Sequence, residues 1–191
     1  MEAREALERQ HLTEEAAEAP QRFGRHAAVL VSILAALLAI AAIAANRAMT
    51  EALLSQQKAS DAWNEFQANS LKRHINEETA ALLRLLATGG PREAEAEQRA
   101  AALETDATTK YRPSQDRLQQ EAHALEHERD LAERRHRRFE VAEAGFQLAI
   151  VLSSIAIVAG AIALLWAGGI LGLVSLLFLL NGFFLWFPMP F

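Results

Sequence analysis

No Gly or Pro interrupts residues 25–88, a run bounded by Gly24 on one side and by Gly89-Gly90-Pro91 on the other. Glycine and proline are the residues that most readily end a helix. A run of this length without either, rich in Ala, Leu, Glu and Gln, predicts one continuous helix. Residues 27–88 alone would extend about 93 Å at the usual rise per residue. The first part, residues 27–45, has no Asp, Glu, Lys, Arg or His, whereas the remainder is polar. The helix is therefore expected to cross a hydrocarbon layer about 30 Å thick and continue into water.

A second stretch, residues 144–191, also lacks every ionisable side chain of those five types. The 51% apolar fraction and net charge of −5 are averages over two different compositions. That mixture predicts an all-α membrane protein with three transmembrane helices and a long antiparallel, coiled-coil-like helical hairpin between the first and second spans. The expected order is an amphipathic N-terminal segment (1–26), a first span (27–45), an extramembrane hairpin (46–143), a transmembrane hairpin (144–187) and a tail (188–191). Within the N-terminal segment, residues 2–19 read as a short helix stopped by Pro20. Within the transmembrane hairpin, the second span is placed at 145–167, a tight turn at Gly168-Gly169 and the third span at 170–187. Phe183, Phe184, Trp186 and Phe187 at its end suit a membrane interface. Ala42-Ile43-Ala44 has the small-residue pattern of a signal cleavage site, but the long acid-rich region ahead of it and the length of the apolar stretch favour an uncleaved span.

Small residues recur at alternating spacings of four and three in both early spans. In the first they are Ala28, Ser32, Ala35, Ala39 and Ala42; in the second, Ala149, Ser153, Ala156, Gly160, Ala163 and Ala167. Lipid is as apolar as Leu, so spans associate through close backbone approach, which small residues permit. These eleven positions are the expected packing seam. Pairing them antiparallel sets Asn46 opposite Ala149 and, further along, Trp63 opposite Ala132, Ser70 opposite Leu125 and Gln56 opposite Phe139. In that register residues 92–106 are surplus and form a separate short helix at the tip. The β-branched, turn-prone residues 105–113 are expected to break the chain again. A heptad of Leu118, Leu125, Ala132, Phe139 and Phe146 then leads back to the membrane.

Arg129, Arg134, Arg135, Arg137 and Arg138 crowd the approach to the second span, against Arg22 and Arg25 before the first. The positive-inside rule places the central arm in the cytoplasm of a bacterial inner membrane. Arg134, Arg135, Arg137 and Arg138 are also candidates for contact with anionic lipid headgroups. The net negative charge and the lack of an aromatic platform argue against nucleic acid as a partner.

There is no Cys, which excludes disulfides and thiolate metal sites. His123-Ala124-Leu125-Glu126-His127 matches the H-x-x-E-H pattern of inverted zinc peptidases. Those enzymes need a further acidic ligand downstream, and no acid follows Glu143. Solvated histidines on a helix account for the motif better, so no metal, cofactor or catalytic residue is assigned. The spans offer only Ser, Gln147 and Asn181 as polar groups, which argues against ion-coupled transport.

Trp63, Phe66, Gln67, Ala68 and Lys72, within residues 46–73, form a W-x-x-[YF]-Q-A-x-x-x-K signature. This stretch resembles a bacterial membrane-protein family known as domain of unknown function 4337. The resemblance implies the same layout of one N-terminal span, a polar helical middle and a hydrophobic C-terminal hairpin; it implies no activity. Trp63, Phe66 and Gln67 share a broad helix face, which either packs inside the hairpin or contacts a partner. The expectation is a non-catalytic membrane scaffold or accessory subunit that meets lipids, further copies of itself or other membrane proteins. The alternatives are a homo-oligomeric passive pore and, more distantly, a metal-dependent hydrolase.

Overall fold

A computed structural model describes the backbone of residues 2–187 and the side chains of residues 24–187. The tail at 188–191 and the side chains of most of the amphipathic segment lie outside the described residues. Among the described residues four α-helices follow one another: α1 (Glu2–Ala87), α2 (Glu93–Asp106), α3 (Arg112–Ala159) and α4 (Ile162–Phe184), with a π-helical turn, Ala107–Tyr111, between α2 and α3. Among the described residues there is no strand. Three helical stretches are long and apolar enough to cross a membrane, as the charge-free runs require.

The expected stop at Pro20 is absent. Proline removes one amide donor, here the one that would reach the Ala16 carbonyl, and α1 remains helical around that gap. The break expected at 105–113 is absent too. Thr105, Thr108 and Thr109 turn their hydroxyls back onto the carbonyls of Ala101, Glu104 and Thr105, which satisfies them within the helix. The Arg112 amide bonds the Ala107 carbonyl, five residues back. That widened turn sits where the ladder must absorb the donor missing at Pro113.

The true stop is the one at Gly89-Gly90-Pro91. Gly89 takes φ +72°, a conformation open to glycine at little cost, and its amide donates to Glu93 Oε2 at 3.1 Å.

The chain divides into two compact units, one of residues 1–49 with 133–191 and the other of residues 50–132. The first has a core of Leu34, Ala41, Ala44, Ala45, Ala48, Phe139, Ala142, Phe146, Ala149 and Leu179. Within it α4 folds back on α3, so that Gly182 lies against Phe139, Gly145 against Ser175 and Gly168 against Ser153. Gly172 receives the Leu34 side chain of α1. Glycine on one helix thus accepts a larger group from its neighbour.

The turn between α3 and α4 corrects the expected one. It falls at Gly160, φ +63°, followed by an extended Ala161. Gly168 and Gly169 are helical, and a Cβ at Gly168 would stand 3.0 Å from the Ala149 carbonyl oxygen. They serve close approach, not chain reversal. The second apolar stretch therefore ends at Ala159, and Ala163 and Ala167 belong to α4, where they are exposed.

The second unit is tied by side chains. Arg129 donates to Gln56 Oε1 (2.7 Å), the Trp63 indole donates to Glu126 Oε1 (2.9 Å), and Asn69 Nδ2 donates to Ser114 Oγ (3.0 Å). Trp63 thus meets Glu126 instead of Ala132, and Gln56 meets Arg129 instead of Phe139. These partners lie six and ten residues before the expected ones. Helix α2 exists at the expected place, but Arg84 holds it directly against the end of α1 through Glu97 and Glu104.

Candidate functional site

Along α3, Leu118, Ala132, Phe139, Phe146, Ala149, Ser153 and Ala156 are buried, Leu125 is half-buried and Gly160 is exposed. On α1 the spacing is as expected but the face is not. Ala28, Ser32, Ala35 and Ala39 are exposed and Ala42 is half-buried. The buried row is Ala27, Leu34, Ala41, Ala48, Ser55, Ala62 and Asn69, joined by Ala45, Ala52, Ala59 and Ala80. The helix is turned by one residue, about 100°. Alanine then lines the inside and lets backbones approach, while Met49 and Leu53 face outward.

Trp63 is half-buried and sits at the centre of a small polar and aromatic cluster. Its ring meets Phe66 edge-on at 5.5 Å and His123 edge-on at 5.2 Å. Glu126 accepts from the indole through Oε1, and its Oε2 lies 3.0 Å from His123 Nδ1. The Trp63 bond, then that of His123, hold the Glu126 carboxyl below the usual range. Both oxygens of the H-x-x-E-H glutamate are thereby engaged. Among the described residues no three His, Asp or Glu side chains stand close enough to share a metal ion. Of the expected partner contacts, Trp63 and Phe66 pack inward and Gln67 is exposed.

At the end of α1, the Arg84 guanidinium forks between Glu97 (Nε to Oε2, 2.9 Å) and Glu104. The hydrogen bond from Arg84 dominates in lowering both carboxyl pKa values. A planar fork reaches two carboxylates at once, which a lysine cannot do. Sequence reasoning passed over Arg84. The available signal is a basic residue in the last turn of a helix followed, after a Gly-Gly-Pro turn, by a run of glutamates.

The arginines ahead of the second apolar stretch divide by exposure. Arg134 and Arg137 are exposed, Arg135 is half-buried and Arg138 is buried. Arg137 lies 3.8 Å from Glu133. Arg138 Nη2 donates to the Phe187 carbonyl at 3.1 Å. Burial, and then the charges of Arg134 and Arg137, pull its pKa below the usual guanidinium range. The same carbonyl and the Phe187 amide are bracketed by the Asn181 side chain, with Phe187 N donating to Asn181 Oδ1 at 3.0 Å. Arg138 and Asn181 therefore fix the end of α4.

Among the described residues these elements define an all-helical protein with three helices long and apolar enough to cross a membrane. Residues 23–185 match the family described as domain of unknown function (DUF4337), and the chain belongs to that family. No curated protein and no solved structure matches it.

Proposed function

We propose that the chain is a non-catalytic scaffold, or accessory subunit, of a larger assembly in a bacterial inner membrane, with three spans and a long antiparallel helical hairpin between the first and second. The observation that carries this reading is the alanine-lined inner row of α1 from Ala41 to Ala62, with bulky side chains such as Met49 and Leu53 turned outward. Small inner residues allow two helices to run close together and stiffly, while the outer faces stay free for partners. The bonds at Gln56, Trp63 and Asn69 support the same pairing along the arm.

The arm lies in the cytoplasm, on the strength of Arg134, Arg135, Arg137 and Arg138 before the second span. Single cysteines at exposed Ala101 and at Ala3, treated with an impermeant reagent in intact cells, test this. Labelling at Ala3 alone supports it, and labelling at Ala101 alone reverses it.

The scaffold reading is tested by extracting the protein within discs of native membrane and weighing the complex. A mass above that of the 21.0 kDa chain and its copies, with a second protein in fixed ratio, is the expected result. Ion conductance by the purified chain in liposomes would replace the reading with a pore.

A further inference from the structure

Helix α1 carries, on its side away from fully buried Ala80, a row of large apolar side chains that no described residue covers. Leu71, Ile75, Leu82, Leu85 and Leu86 are 62, 53, 54, 73 and 82% exposed. All five belong to the polar half of the chain, beyond the apolar stretch at 27–45, so lipid tails are not their expected surroundings. Five such side chains within four turns make a patch on the order of 500 Å², the size of the largest apolar patch on a soluble monomer, which is often functional.

The spacing of the row says what it fits. Leu71, Ile75, Glu78, Leu82 and Leu85 follow one another at four, three, four and three residues, the repeat of a coiled-coil seam. Ile75 and Leu82 occupy one set of seam positions; Leu71, Glu78 and Leu85 occupy the other. Ile75 in the first set with Leu71 and Leu85 in the second suits two parallel strands, a pattern from which Leu82 and Glu78 depart. Copies in one membrane are all inserted the same way up, so a two-fold axis along the membrane normal brings identical residues together. A parallel, in-register seam is what such an axis requires. Two patches closed on each other reach roughly 1,000 Å² in total, the lower bound for a biological interface. Exposed Ala81 and Leu86 flank the seam at positions that meet across a parallel pair, small against large.

We infer that the face Leu71, Ile75, Leu82, Leu85 and Leu86 of α1 is a homotypic interface on which a second copy of this chain docks in parallel and in register. The inference deepens the scaffold reading and rests on it, since it names the first partner of the assembly. Glu78 interrupts the seam and stands against its own counterpart, a like-charge contact that weakens the pair.

The absence of Cys makes the test direct. Full-length single-cysteine variants Leu71→Cys, Ile75→Cys and Leu82→Cys, in membranes treated with copper phenanthroline, are expected to form disulfide-linked dimers. Ala101→Cys, exposed on α2, serves as the control and is expected to remain monomeric. Replacing Ile75 and Leu82 together by Glu changes only exposed positions, so each copy keeps its fold by circular dichroism. Self-association measured in discs is then expected to weaken at least about a hundredfold, as two apolar contacts per copy are lost. Glu78→Leu is expected to strengthen it. Equal cross-linking at all four positions, or none at the seam, overturns the inference. Cross-linking of Leu82→Cys to a different protein overturns it as well, while leaving the scaffold reading in place. A monomer without any co-purifying protein overturns both.

Discussion

The Trp63 indole nitrogen donates to Glu126 Oε1 across 2.9 Å, joining residues 63 positions apart in the sequence. Because the acceptor is a charged carboxylate, the bond is strongest while Glu126 is ionised and weakens when it is protonated. This gives the arm a defined response to acid.

Glu126 titrates below the ordinary glutamate value, chiefly because of the Trp63 bond and next because of His123. A carboxyl whose folded pKa is depressed contributes stability that is present above its unfolded pKa of about 4.3 and is lost as pH falls through the lower folded value. Trp63 emission is therefore expected to shift in a step as pH falls through that lower range. Trp166 and Trp186 should be replaced by Phe for the measurement. Glu126→Gln should abolish the step while leaving the helical signal near neutral pH unchanged. A step that persists in Glu126→Gln would assign the response elsewhere.

Arg84 holds two carboxylates, and both are depressed by it. Arg84→Ala leaves Glu97 and Glu104 near one another without a cation, so amide hydrogen exchange should accelerate around residues 84–104 and nowhere else. Arg84→Lys should recover only part of the protection, because a point charge cannot fork between the two acids. In the unmodified protein the same amides should exchange faster as pH is lowered into the carboxylate range, after correction for intrinsic rates, since the contribution of depressed acids is lost in that direction.

The seam of α3 was legible because large residues, Leu118, Phe139 and Phe146, recur at multiples of seven among charges. The seam of α1 was legible in period but not in phase. Its first span has small residues on every side, with Ala27 beside Ala28, Ala35 beside Ala36 and Ala44 beside Ala45. A four-and-three pattern fits two rows one residue apart. What selects between them is Leu34, which fills the space left by Gly172 on α4, a contact between residues far apart in sequence. The paired glycines at 168 and 169 misled for a related reason. Local propensity reads them as a turn, while in a membrane helix they permit close packing. The stop at Gly89-Gly90-Pro91 was legible because three breakers in a row leave no helical alternative. The Trp63 cluster was not, because its members are joined only once the register is known.

The phase of α1 can be tested by two neighbouring substitutions. Ala52 is buried and Leu53 is more than half exposed. Ala52→Leu should destabilise the protein by about 1–3 kcal/mol through overpacking. Leu53→Ala should change stability by no more than about 0.5 kcal/mol, the range of an ordinary surface substitution. Thermal unfolding in detergent followed by circular dichroism measures both. The opposite ranking would restore the row that begins at Ala28.

The glycines of the last two helices give the most discriminating set. At Gly160 the backbone has φ +63°, so Gly160→Ala forces an L side chain into the left-handed region at a cost of about 1–2 kcal/mol, although nothing lies within 4 Å of the added carbon. At Gly169 the only near atom is Leu30 Cδ2 at 4.0 Å, an ordinary contact. Gly169→Ala should therefore be neutral or stabilise α4 by up to about 1 kcal/mol through helix propensity. Gly182→Ala presses the new carbon into the Phe139 ring, 2.6 Å from Cδ1, and that ring is buried and already packed edge-on against Phe183 at 4.9 Å. It cannot swing aside, and about 1–3 kcal/mol should be lost. Gly172→Ala meets only the flexible end of Leu34 and should cost less. If the chain instead reversed at Gly168-Gly169, Gly169→Ala would be the damaging change and Gly160→Ala the tolerated one, so the ranking of these two variants by unfolding temperature decides where the turn lies.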